Sequence, residues 1–203
     1  MRSVSRLLAI VAFLGIITPL PARAESKAQE VVRTFYSQLV STMKQGESLG
    51  FNGRYKQLAP ALQAAFNLPL MTRMSIGSSW PSASEKERND LIAAFTDFSI
   101  STYASRFASY DGEQFTVTGE KPSGKDIVVE TTLKPKNGEA VTLNYLMKQD
   151  EKGSYRIVDV YMNGTISELA TRRSEFSSIV RREGIGALVN SLLEKAKQMA
   201  AAG

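Results

Sequence analysis

Asp159 sits between Val158 and Val160, in a run of strand-forming residues from Tyr155 to Met162. Apolar surroundings raise a carboxyl pKa, which is how such a group is tuned to move protons near neutral pH. Tyr103, Tyr145, Tyr155 and Tyr161 are hydroxyl donors that could stand beside it. A carboxylate and tyrosines in an apolar cavity suit a proton-shuffling isomerase. The same acid has a structural use, and that reading is favoured: Arg172 and Arg173 follow closely enough to pair with it. The two arginines also have two readings. They brace the sheet or Glu175, which is favoured, or they flank a cavity mouth and meet an anionic group, for which the guanidinium fork is well shaped.

The remaining chemistry is bounded by what is missing. The chain has no His and no Cys. That removes the commonest general base, the thiol nucleophile, thiolate metal ligands and disulfides. There is no phosphate-binding lysine loop, no G-x-G-x-x-G, no G-x-S-x-G elbow, no H-E-x-x-H and no calcium loop. No metal or cofactor is implied.

The 203 residues suffice for one domain with a sizeable core, and 43% hydrophobic with 22% charged residues is an ordinary globular balance. The first 24 residues read as a cleavable signal peptide. Arg2 and Arg6 precede a short apolar run, Leu7 to Ile17, and Ala22-Arg23-Ala24 forms a cleavage site. The expected mature domain is 25–203, exported, with a formal charge of +2 instead of +5 because three arginines leave with the leader. That gives no electrostatic footprint for nucleic acid. No later apolar run reaches the roughly 18 residues of a membrane-spanning helix.

The elements that must position these groups follow from periodicity. Ser26 to Gln45 carries Val32, Phe35, Leu39 and Met43 at helical spacing. Gly46 and Gly50 are expected to stop that helix, with Asn52-Gly53 at a loop tip. Arg54 to Phe66 then forms a shorter helix interrupted by Pro60, and Leu68 to Ile76 another. Ser84 and Glu87 form a capping box that opens the longest helix, running to about Ser109. The period then changes to two: 113–121, 125–136, 139–149 and 153–162 are four strand candidates separated by hairpin signals. Asn163-Gly164 turns a tight corner. Thr165 and Glu168 have the spacing of a second capping box, and helices are expected to about Glu183 and from Ile185 to Met199. The expected fold class is α+β: one domain with helices packed over a curved antiparallel four-stranded meander and helices at the C-terminus.

Methionines and aromatics are frequent, among them Phe66, Met71, Met74 and Met147. Ordinary core is their default use, as is plugging the end of a core for Trp80, the single tryptophan. Several helices over one small curved sheet can also leave an apolar cavity, the usual small-molecule site, and methionine suits pliable walls.

Two segments carry a family resemblance. From Met74 to Tyr110, Gly77, Trp80, Phe95, Thr102-Tyr103-Ala104 and Tyr110 match a pattern of Gly and Trp before a capped helix with an aromatic T-Y-A run. From Arg156 to Phe176, Asp159-Val160, Gly164, Ser167, Arg173 and Phe176 match a second. Both resemble the MlaC-type, toluene-tolerance family of periplasmic lipid carriers. The block Arg172-Arg173-Ser174-Glu175-Phe176, preceded by Thr165 to Ala170, is similar to the hopanoid-associated HpnM branch.

The resemblance implies a cystatin-like sheet under helices. It also implies a periplasmic shuttle whose partners are a lipid cargo, hopanoid or phospholipid, an inner-membrane transporter and an outer-membrane acceptor complex. The wall of the lipid-binding pocket is then expected at Phe95, Phe98, Tyr103 and Phe107 on the long helix. Leu143, Tyr145, Val160 and Met162 are expected from the sheet, and Phe176 from the helix after the corner. No enzymatic activity is implied. The rival readings are a lipid-modifying isomerase or hydrolase using Asp159, and an envelope adaptor that carries nothing.

Overall fold

Ser26 opens the chain's first helix, α1 (Lys27–Lys44), by accepting the Gln29 N–H at 3.2 Å, one of the free donors of a helix start. The computed structural model describes residues 26–203, and the expected signal peptide, 1–24, lies outside them. After α1 the chain departs from expectation. α2 (Gly46–Ala65) runs through both Asn52-Gly53 and Pro60, and the only interruption is a kink at Gly50 with φ 58° and ψ −179°. That conformation is nearly reserved for glycine and is not helical, so Gly50 does separate two helical stretches, as expected, and the second of them runs on through Asn52-Gly53.

Asn67 caps α3 (Leu68–Ile76), accepting from the Leu70 N–H at 3.1 Å, and Pro69 sits in the first turn, where no N–H is missed. The expected capping box is present. Ser84 accepts from the Glu87 N–H, and the Glu87 carboxylate accepts from the Ser84 N–H at 2.9 Å, opening α4 (Glu85–Arg106).

The meander comprises β1 (Gln114–Ser123), β2 (Asp126–Lys134), β3 (Val141–Gln149) and β4 (Tyr155–Met162), antiparallel neighbours in chain order. Asn163 and Gly164, at φ 51° and 77°, turn the corner as their types suggest. A two-residue fifth strand, β5 (Ile166–Ser167), then pairs with β4, so the sheet has five strands and not four. This also moves the cap. Ser167, not Thr165, opens α5 (Glu168–Glu183) and accepts the Ala170 N–H at 2.8 Å. Pairing with β4 holds residues 166 and 167 extended, so the helix starts only after them. Gly184, at φ 85°, joins α5 to α6 (Ile185–Ala202).

Among the described residues, α1, α2, α3 and α5 pack directly against the sheet, α4 packs on α2 and α3, and α6 packs outside them on α4 and α5, an α+β arrangement. Phe35, Phe66 and Tyr103 meet edge-on at ring separations of 5.2 to 5.8 Å, tying α1, the α2–α3 junction and α4 together. The Asn67 N–H donates to the Ile157 carbonyl at 2.8 Å and fixes that junction to the sheet. Arg54 is buried and donates to main-chain carbonyls. Its Nε donates to the Ala104 carbonyl and a terminal nitrogen to the Gly46 carbonyl, both at 2.8 Å. Those bonds fix the last turns of α4, which carry Tyr103 and Arg106.

Candidate ligand cavity

Register decides the floor of the cavity. On β3, Val141, Leu143 and Tyr145 alternate to one face, and Leu143 pairs with Met162 and Tyr145 with Val160 on β4. Directly opposed residues project to the same side of a sheet, so these side chains form one apolar surface. The roof comes from α4. Phe95, Ser99, Thr102, Tyr103 and Arg106 recur at spacings of three, four and one, which places them on a single helix face. Phe107 follows, stacked on Tyr103 at 5.5 Å. Between floor and roof lies a cavity of about 280 Å³. Its back wall is Leu39, Leu62, Phe66, Leu68 and Met71, all buried.

Seven of the nine residues expected as pocket wall line this cavity: Phe95, Tyr103, Phe107, Leu143, Tyr145, Val160 and Met162. Phe98 and Phe176 do not. Phe98 lies one helical step off the cavity stripe, under the Arg172 guanidinium at 4.9 Å. Phe176 is packed edge-on against Phe95 at 6.4 Å and supports the roof from behind. The back wall escaped the sequence because α1 to α3 show ordinary core periodicity. Arg106 had a usable signal, since it continues the stripe of Phe95, Ser99 and Tyr103.

Few polar groups reach the hollow. The Ser99 and Thr102 hydroxyls donate back to the Phe95 and Phe98 carbonyls, each at 2.7 Å, and are spent within the helix. Tyr145 accepts from the Tyr36 hydroxyl at 3.1 Å, and Tyr36 lies 2.7 Å from the Thr131 hydroxyl. The Tyr103 hydroxyl has no hydrogen-bond partner among the described residues. Burial raises the pKa of both Tyr103 and Tyr145 above the ordinary phenol value, and their neighbouring phenols add to it. Both therefore stay protonated and can donate a hydrogen bond, but neither is poised as a base.

Charge is confined to one end. Arg106, Glu168 and Arg172 line the cavity there, and Arg106 is exposed while the back wall is closed. Arg172 is 3.8 Å from Glu168, a loose pair, and its guanidinium rests on Phe98. Burial pulls the Arg172 pKa down; Glu168 opposes that shift and the nearby Arg106 charge adds to it. An anion at this rim would relieve the repulsion between the two arginines.

Asp159 is not part of the cavity. It lines a separate surface groove with Arg73, Gly77, Ser167 and Arg173. Its Oδ1 accepts from the Val160 N–H at 2.8 Å and the Leu169 N–H at 3.0 Å, and its Oδ2 from the Ser167 hydroxyl at 2.5 Å. The expected ion pair with Arg172 or Arg173 is absent. Helix α5 begins directly over the carboxylate, and its Leu169 N–H and the hydroxyl of its cap Ser167 occupy the oxygens.

An antiparallel sheet under helices, with an apolar hollow whose charged residues gather at one end, defines an α+β fold with a candidate ligand site. The chain belongs to the MlaC family: the family model described as MlaC protein matches residues 33–194, most of the sequence. Among solved structures, one similar in fold is a phospholipid-binding protein from Ralstonia solanacearum, determined in complex with a phospholipid. The two are 22% identical, with a TM-score of 0.74 over 86% of this chain and 99% of that one.

Proposed function

We propose that this protein is a lipid carrier of the periplasm, exported by residues 1–24. It would take a hydrophobic lipid from an inner-membrane transporter to an outer-membrane acceptor, or in the reverse direction. One observation carries the reading: an apolar hollow of about 280 Å³ with Arg106, Arg172 and Glu168 at its open end. Hydrocarbon would lie against Phe95, Leu143, Val160 and Met162, and an acidic head group would meet the two arginines. Membership of the MlaC family supports this, as does a fold neighbour that binds phospholipid.

The volume of about 280 Å³ lies just below the roughly 300–1,000 Å³ usual for ligand pockets. It suits one hydrocarbon chain or a compact fused-ring skeleton, so a two-chain lipid would require the helices to spread. The block from Arg172 to Phe176 favours the hopanoid-associated branch, and with it a rigid polycyclic cargo; phospholipid is the alternative. Burying a methylene is worth about 0.8 kcal/mol, so a single chain with about 16 of them gains roughly 13 kcal/mol gross. Such a cargo does not escape into water and must be handed over while the carrier is docked.

Two rivals fare worse. An enzyme using Asp159 needs that carboxylate in the cavity, and it lies outside with its oxygens occupied. An adaptor has no use for the hollow. The test is native mass spectrometry of the exported protein, purified without detergent. A lipid adduct is expected, and its extraction distinguishes hopanoid from phospholipid. A consistently empty protein would overturn the carrier reading.

A further inference from the structure

We infer that the cavity mouth docks directly on an anionic bilayer, through Ile166 and the arginines that flank the start of α5. Among the described residues two large apolar side chains remain substantially exposed, and Ile166, at 54%, is the more open. Its position is specific. Ile166 is paired with Met162 across β4 and β5, so the two side chains project to the same face of the sheet. Met162 lines the cavity. Ile166 therefore carries the apolar floor outward, past the rim and into solvent.

Cations surround this edge. Arg106 and Arg172 stand on the cavity side of α5. Arg73 and Arg173 line the groove on its α3 side, where Arg173 lies against Gly77. Arg73 and Arg173 are exposed and have no acidic partner among the described residues. The acids nearby are Glu168, loosely paired with Arg172, Glu175, paired with Lys195, and Asp159, which is buried with its oxygens taken by Val160, Leu169 and Ser167. Two guanidiniums thus line the cavity and two more line the neighbouring groove, on either side of the start of α5, in a chain whose whole formal charge is only +5.

That combination matches a lipid surface. An aliphatic side chain can enter among acyl carbons while the cations around it meet phosphates, and each contribution falls off sharply away from the bilayer. An acidic protein segment would use the arginines but not an isoleucine continuous with the hollow. Docking mouth-first also lets a hydrocarbon cargo pass between cavity and acyl phase without entering water, whose cost scales with the apolar area exposed. The purpose of the site rests on the carrier reading, but binding to a membrane is measured without reference to cargo.

The experiment is flotation of the exported full-length protein. One set of vesicles is phosphatidylethanolamine mixed with phosphatidylglycerol, the other phosphatidylcholine alone, each at low and high salt. The protein is expected to float with the anionic vesicles, not with phosphatidylcholine, and less at high salt. Ile166→Ser and the double variant Arg73→Glu/Arg173→Glu should each weaken flotation roughly fivefold or more. Neither variant touches the cavity lining, so native mass spectra should show the wild-type lipid load on both. Failure of the wild type to float, equal flotation on both lipids, or variants that float like wild type would each overturn the docking inference. A protein that floats as expected but carries no lipid would overturn the carrier reading and leave the docking surface standing.

Discussion

Asp159 joins two elements with one carboxylate. Its oxygens accept from the Val160 and Leu169 N–H groups and the Ser167 hydroxyl, so it pins the first turn of α5 to the end of β4. Negative charge at a helix start is favourable in itself. Asn at this position keeps one acceptor oxygen but turns an amide toward Ser167 and removes the charge. Asp159→Asn is therefore expected to cost about 1.5–3 kcal/mol in urea unfolding, the range for hydrogen bonds to charged groups, and to leave lipid retention intact. An unchanged stability together with loss of a lipid-modifying activity would instead make Asp159 a base. From sequence, an acid in an apolar strand followed by Arg172-Arg173 leads naturally to an ion pair. Only the corner's three-dimensional course shows that α5 starts over the carboxylate and that the arginines point elsewhere, Arg172 to Phe98 and Arg173 to Gly77.

The elements divide by the range of the forces that shape them. Signals set within a few residues were legible: the Ser84–Glu87 box, the Asn163-Gly164 corner and the alternation on β3 all stand where the sequence puts them. Features that depend on a distant partner were not. β5 is two residues long, too short for any periodicity, and exists because β4 offers it an edge. Gly46 and Gly50 break the helix where propensity puts them, but Asn52-Gly53, a loop tip by propensity, is helical, because propensity is a weak prior that tertiary context overrides. Gly46 is needed for proximity. A Cβ there would lie 1.9 Å from the Ala108 carbonyl oxygen, just past the end of α4. Gly46→Ala must push α2 and α4 apart at the point where Arg54 bridges them. Overpacking of this kind costs about 1–3 kcal/mol, and thermal unfolding should show it. Because α4 carries the cavity roof, lipid retention should fall as well; a variant that is wild-type in both measurements would mean that the approach is not tight in solution.

At the scale of the whole molecule, an interior hollow has to be kept open against collapse. The rings do this. Phe35, Phe66, Tyr103, Phe107 and Phe115 form a connected chain of edge-on, stacked and tilted contacts behind and beside the cavity, and such stiff groups resist closing a gap. Which faces are apolar could be read from period; whether two apolar faces meet or stand apart could not, since the same residues serve either outcome. That is why Phe98 and Phe176, on the same helices and of the same type as the wall residues, turn out to be packing. The hollow can be tested by filling it. Leu143, in the middle of the floor on β3, faces the cavity of about 280 Å³. Leu143→Trp adds an indole where space already exists, so the usual overpacking penalty should not apply and the protein should melt at or above the wild-type temperature. The same variant, purified without detergent, should lose most of its bound lipid in native mass spectra. Retention of a full lipid load by a stable Leu143→Trp protein would place the cargo somewhere other than this cavity.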